Sequence, residues 1–434
     1  VLRNFLHRWR IILADRIRFS ATVRWVIFHW QVKAAISRDP ATTVKGIGAI
    51  HRLCRAARLE VRQGQINDVE RRMKRIAGEL DLVEATPLLI EEPGDIIRKA
   101  AILKPFDEFT GEKGAIFISF EYEWAKLLLA RNREEFARRY QIIVSPTWTP
   151  PHSALNLLFP RIWPEPVYCL ISNQTDLETF PRLSENYRMV ELYASSWVDP
   201  DLFHPRPRAE RDIDLIMLAN FGTYKRHHVL FRALRDLPAD WRVVLVGQPN
   251  GDRTAEVLMS EAEAFGVRER IELRQRVSDE EVCELLCRAR ISLICSKREG
   301  SCVAVVESML ADTPVVLLEG AQVGSAKFIG AETGAFVRES ALAEDLVRLR
   351  GETGTHRPRA WCLENEIDAR SSSARLNAIL AEDSRSQGLP WTRNLAPMGW
   401  RPNPMLLAPA EAPWLEEETE RILHLTGVRI GCQK

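Results

Sequence analysis

An α/β protein with a doubly wound, largely parallel sheet in its second half is the fold class that this 434-residue sequence predicts. Three observations lead there. From Asp212 onward, short apolar runs alternate regularly with helical patterns, the signature of strands joined by crossover helices. A looser version of the same alternation fills residues 115–194. The composition, 46% hydrophobic and 27% charged, supplies enough apolar surface for two or three packed domains. A formal charge of +1 argues against a general nucleic-acid binder and against a strongly acidic disordered chain.

The first segment reads as a basic helix. Leu2, Phe5, Leu6, Trp9, Ile12 and Leu13 fall at helical spacing, and residues 1–34 hold seven Lys/Arg against one acid, Asp15. Two readings fit: a membrane-surface helix drawn to anionic lipid, or a helix docked on its own domain with its arginines outward. The basic positions do not form one clean face, which favours docking. These residues never gather an apolar core followed by a small-residue cleavage site, so no secretory leader is expected in them. Residues 46–82 continue as helix. Strand-like runs follow at Ala115–Phe120, Gln141–Ser145, Val167–Ser172 and Met189–Ala194, with a helix at Glu123–Tyr140. The uncharged stretch 141–160 carries four prolines, which make it a poor membrane span; it reads as a buried strand and then a loop.

In the second half, strands are expected at Ile213–Leu218, Trp241–Gly247, Arg270–Val277, Ile291–Ser296 and Pro314–Leu318. Helices are expected at Arg226–Leu237, Thr254–Phe265, from a capping box at Ser278-Asp279-Glu280-Glu281 to Arg290, and at Cys302–Ala311. A Pro/Trp-rich stretch, 388–413, lies between helical patterns at Ile367–Leu380 and Trp414–Leu425. It is too aromatic for a disordered tail and is expected to pack back on the N-terminal half. The domains are therefore 1–205, 206–358 and a returning segment, 359–434. Eight cysteines without a C-x-x-C read as reduced core thiols. Cys283 and Cys287, four apart, lack zinc partners at a suitable spacing, and the compartment expected is the cytoplasm.

The chemistry concentrates at Ser296-Lys297-Arg298-Glu299-Gly300-Ser301-Cys302, where a buried strand ends, a charged loop turns and a helix begins. Ligands of open α/β sheets bind outside the carboxyl ends of strands, and helix N-termini suit phosphate. Glu299 sits at the mouth of such a site. Glu307, eight residues on, is an acid among Val303, Ala304, Val306 and Met309, an odd place for an ordinary surface residue.

Glu299 and Glu307 resemble the E-x7-E motif of retaining glycosyltransferases of family 4 and its relatives. The surrounding text, SKREG at 296–300 and ESMLADTPVV at 307–316, resembles the family as well, and Asp199-Pro200-Asp201-Leu202-Phe203-His204-Pro205 looks like its interdomain segment. The likeness covers about 195–350. It implies a GT-B fold, two Rossmann-like domains facing a cleft, with extra N-terminal helices and the returning C-terminal segment added here. It further implies a retaining, metal-independent transfer from a nucleoside-diphosphate sugar to a glycan, lipid-linked or small-molecule acceptor, with no cofactor. By the same resemblance Glu307 holds the donor ribose and Glu299 the transferred sugar, Gly300 and Ser301 lie in the donor-binding loop, and Lys225 holds the diphosphate. Glu299 and Lys225 are the catalytic candidates. Asn220 stands where the family carries an Arg, leaving Arg226 and Arg298 as candidate replacements. His152 is the candidate on the acceptor side, whereas His227 and His228 read as the start of a helix. The strings Asp199-Pro200-Asp201 and Asp212-Ile213-Asp214 are read as chance D-x-D matches, and no metal is expected. Two further readings share the scaffold: a sugar-nucleotide epimerase or phosphorylase, and a non-catalytic nucleotide-sugar-binding protein.

Overall fold

The computed structural model describes residues 2–20, 22, 94–146, 154–206, 210–401 and 403–431. The chain divides into two compact units, one comprising Val1–Ile17 and Ser195–Ser371, the other Arg18–Ala194 and Ser372–Lys434. The divisions thus fall at 195 and 371, not at 205 and 358. The first helix groups with the second-half unit, not with the residues that follow it. The helices expected over 46–82 lie outside the described residues.

The unit containing residues 195–371 is built on six strands, all parallel. Across the sheet they run Gly334–Val337, Val315–Leu318, Ala289–Ile294, Ile213–Leu218, Val243–Gly247, Ile271–Gln275. In chain order this is 6-5-4-1-2-3, the doubly wound arrangement, and the order reverses between Ile213–Leu218 and Ala289–Ile294. The central strands are apolar at nearly every position because helices cover both faces. Ile291, Leu293, Leu215 and Met217 share one core with Val229, Leu230 and Phe231 of the following helix. The helix Asp279–Arg288 begins as the capping pattern requires, with Ser278 Oγ accepting from Glu281 N at 3.2 Å. Thr254 caps Ala255–Phe265 in the same way. The short edge strand Gly334–Val337 and the helices Leu342–Glu352 and Pro358–Glu364 complete the unit.

The other unit carries five strands in chain order: Ala100–Lys104, Gly114–Ser119, Tyr140–Ser145, Val167–Ile171 and Tyr187–Tyr193. The first pair is antiparallel and the rest are parallel. The helix expected at Glu123–Tyr140 is broken. Glu121–Trp124 tightens into a 3₁₀ turn at Ala125–Leu129, Asn132 adopts a left-handed φ of 48°, and Arg133–Arg139 leads into the Tyr140 strand. The stretch after Ser145 returns to helix at Ala154–Ile162, with Pro160 in its last turn, where a loop was expected.

Residues 372–431 are integral to this unit. Ile422, Val428 and Ile430 join Trp124, Phe136 and Trp163 in its core, and Arg429–Ile430 adds a parallel strand beside Ile96–Ile97. The Pro/Trp-rich stretch forms a hairpin, Met398–Arg401 with Asn403–Leu406. Its approach is fixed by a buried ion pair. Lys104 Nζ lies 2.6 Å from Glu112 Oε1, both nearly inaccessible, and 3.4 Å above the Trp391 ring. Glu112 also accepts from Thr392 N and Arg393 N. Burial alone would raise the Glu112 pKa, but Lys104 and Thr392 hold it down at about 2. Glu112→Ala would leave the Lys104 ammonium buried without its carboxylate. Denaturant unfolding is expected to show a loss of about 3–5 kcal/mol, against a smaller loss for an exposed pair such as Arg348–Glu352.

Candidate functional site

At the reversal of strand order, two loops leave the carboxyl ends of neighbouring strands. One follows Leu218 and runs through Ala219–Arg226; the other follows Ile294 and runs through Cys295–Cys302. The first is anchored by Phe221, fully buried, and by backbone bonds from Ala219 N to Val246 O and from Phe221 N to Gln248 O. Its course requires a glycine next door: a Cβ on Gly247 would lie 2.0 Å from Ala219 O. Asn220 shapes the turn, its Oδ1 accepting from Gly222 N at 3.0 Å and its Nδ2 donating to Tyr224 Oη at 2.9 Å. The second loop ends at Cys302, whose left-handed φ of 52° turns the chain into the helix Val303–Leu310.

These loops bring Lys225 and Glu299 together. Lys225 Nζ donates to Glu299 Oε2 at 2.6 Å, with side chains 12% and 10% exposed. Burial opposes the lysine's charge, but the Glu299 carboxylate outweighs it and the Lys225 pKa is raised; Cys302 beside it is a neutral thiol, its own pKa pushed up by burial. The other carboxylate oxygen, Glu299 Oε1, is buried without a hydrogen-bond partner. A buried acceptor left open at the carboxyl edge of a parallel sheet suits a ligand donor group. Glu307, on the helix that begins at Val303, is half-buried. Burial and then the charge of Asp279 push its pKa up to about 7, against the pull of Lys225. The site thus sets one buried cation, Lys225, on one paired acid, Glu299, with a second acid, Glu307, poised near neutrality.

Residues 199–349 match the family model for glycosyl transferases group 1. Lys225, Glu299 and Glu307 all lie inside the match. Sucrose-phosphate synthase from Thermosynechococcus elongatus is similar in structure, with a TM-score of 0.51 at 16% identity, covering 63% of this chain and 74% of that one. Alr3699/HepE of Anabaena, solved with UDP and glucose, gives a TM-score of 0.49 at 15% identity over 61% of this chain and 78% of its own. No curated protein matches the sequence. The structural likeness shows the fold, that of the two-domain α/β glycosyltransferases called GT-B.

Within the group 1 region, the remaining candidates have other work. Arg226, left-handed at φ 55°, has partners other than those of Lys225. Its guanidinium is gripped by Asp15 at 2.9 Å and Glu339 at 2.8 Å and reaches Cys295 O. The cation expected to replace the missing Arg is thus engaged by two acids, on the first helix and after Val337. Arg298 donates to Gln322 Oε1 at 2.6 Å. Gln322 also bonds through its backbone to Glu299 N and Lys297 O, zipping the Glu299 loop to the loop after Val315–Leu318. Gly300 O and Ser301 O extend this ladder by accepting from Gly324 N and Ser325 N. Ser301 Oγ accepts from Ser195 N at 2.7 Å. His227 and His228 open the helix His227–Ala233; burial keeps His227 neutral and lowers His228 to about 4. His152 lies outside the described residues.

Asp212 and Asp214 flank the amino end of their strand, the edge opposite Lys225, and arginines hold both: Arg288 and Arg242 on Asp212, Arg350 on Asp214. Asp201 is paired with Arg370. Among the described residues no cluster of three or more His, Cys, Asp or Glu is arranged to hold a metal ion. Sequence reasoning missed Gln322, which carries no motif of its own, and Asp15, which was visible as the lone acid of the first helix.

Two outcomes follow from this geometry. Gly247→Ala should displace the Ala219 backbone, since the clash is with a carbonyl and not with a flexible side-chain end. It should lower stability and disturb the Lys225 loop, read as faster amide exchange at residues 219–225. Glu307 has a folded pKa of about 7, above the ordinary value of about 4.3 for an unfolded chain. Its proton is therefore retained on folding in that window, and stability is lost as pH rises from about 4.3 through about 7. Glu307→Gln should raise the melting temperature at pH 8 and leave it unchanged at pH 4, measured by thermal denaturation.

Proposed function

We propose that this chain is a glycosyltransferase that moves a sugar from a nucleoside-diphosphate donor to a glycan, lipid-linked or small-molecule acceptor, with retention of configuration and without a metal ion. The Lys225–Glu299 pair, seated where the strand order reverses, carries the proposal. Breaking a sugar–phosphate bond places negative charge on the leaving diphosphate. A fixed ammonium beside a helix N-terminus stabilises that charge in place. Lys225 is assigned to the diphosphate, and Glu299, released from it, to hydroxyls of the transferred sugar through its open Oε1. Glu307 is assigned to the ribose hydroxyls, and its raised pKa falls when those donors reach it. The pairing of the aspartates of both D-x-D strings with arginines or backbone supports metal independence. Retention rests on the E-x7-E resemblance. The buried free thiols support a cytoplasmic setting.

One observation favours a second reading. Asn220 is committed to its own turn and Arg226 to acids, so the clamp holds a single cation from this loop. That arrangement also fits a module that binds a nucleotide-sugar without turnover.

The deciding experiment is release of free nucleoside diphosphate from a panel of nucleoside-diphosphate sugars, with and without chelator. A transferase releases it slowly even without acceptor and ignores chelator; a binding module releases none. Lys225→Ala is expected to weaken nucleoside-diphosphate binding by about 1.5–3 kcal/mol, the scale of a charge-assisted hydrogen bond. Glu299→Gln should keep that affinity in calorimetry and lose turnover. Chelator-sensitive release restored by magnesium or manganese would refute metal independence, and an inverted product anomer by NMR would refute retention.

A further inference from the structure

The first helix, Leu2–Arg18, has two faces of opposite character. On one, Ile11 and Ile12 pack against the core of the six-stranded sheet, and Asp15 takes the Arg226 guanidinium through three contacts of 2.9–3.1 Å. On the other stand Leu2, Phe5, Leu6, Trp9, Leu13 and Ile17, between 46% and 70% exposed. Their spacings of one, three and four residues place them along a single stripe, within which the Phe5 and Trp9 rings meet edge to face at 6.1 Å. An apolar surface of that continuity, on a helix with no fully buried residue, marks a contact site.

Charge identifies the partner. Arg3, Arg10 and Arg16 are exposed beside the stripe, and among the described residues none of them has an acidic partner. The helix's only acid, Asp15, is turned inward and neutralised by Arg226. A second copy meeting this stripe would set arginine against arginine. No described helix is long and apolar enough to cross a membrane. We propose that this face is a lipid-contact surface: the helix lies in the plane of an anionic bilayer, its apolar stripe among the acyl chains and its arginines on headgroup phosphates. The inference is independent of the proposed sugar transfer.

Vesicle flotation of the full chain tests it, with phosphatidylcholine alone against phosphatidylcholine carrying about one-third phosphatidylglycerol. The chain should float with the anionic vesicles at least tenfold more than with the neutral ones, and progressively less as salt screens the attraction. The double variant Leu6→Glu/Trp9→Glu changes exposed positions only. It should keep the wild-type melting temperature and lose flotation at least tenfold. Arg3→Gln/Arg10→Gln/Arg16→Gln should lose the preference for anionic vesicles. Absence of flotation with anionic vesicles, or unchanged flotation of the double variant, overturns the proposal. So does a wild-type dimer in sedimentation that becomes monomeric in Leu6→Glu/Trp9→Glu while neither floats, because the stripe's partner is then a second copy.

Discussion

The candidate site depends on two strands, Ile213–Leu218 and Ala289–Ile294, being neighbours in space although two strands and three crossovers separate them in sequence. In a doubly wound sheet the chain leaves these two strands toward opposite sides, so their following loops part and open a crevice between them. Lys225 and Glu299 stand on those two loops. The supporting contacts, Gly247 against Ala219 and Gln322 against Glu299, come from strands or loops next in the sheet. The strand order thus sets both the position of the pair and the identity of what braces it.

Adjacent cations meet opposite fates here. Lys225 faces one carboxylate and an open acceptor oxygen, while Arg226, turned by its left-handed backbone, is enclosed by Asp15 and Glu339. A buried guanidinium is tolerable only when acids satisfy it, and Arg226 is 4% exposed. The residue beside the proposed phosphate contact therefore fastens the first helix to the sheet. This gives the lone acid of a basic segment a structural use, and leaves that segment's outer surface cationic.

The parallel sheet of the second half was legible because strands buried on both faces read as unbroken apolar runs; Val243–Gly247 and Val315–Leu318 are of this kind. Ala100–Lys104 was not legible. Its terminal Lys104 reads as a surface charge, yet it is buried by Glu112 and by Trp391 from the far end of the chain. Gly334–Val337 was missed as well, being four residues long beside turn-forming Thr333 and Gly334. Spacing and the apolar neighbours of Glu307 pointed to the acids of the site. The role of Arg226 did not follow from sequence, because its partner Asp15 lies 211 positions away and its side-chain direction depends on one backbone torsion.

The ion pair between Lys225 and Glu299 also bears on conformational entropy. A free lysine side chain loses about 1.5–2 kcal/mol of rotamer freedom when it is fixed. Here the ammonium is already held by a carboxylate at 2.6 Å, so this ordering is completed when the chain folds. An arriving anion meets a lysine whose four-carbon stem is immobilised, and exchange of partners, not the freezing of a mobile side chain, becomes the step that governs its capture.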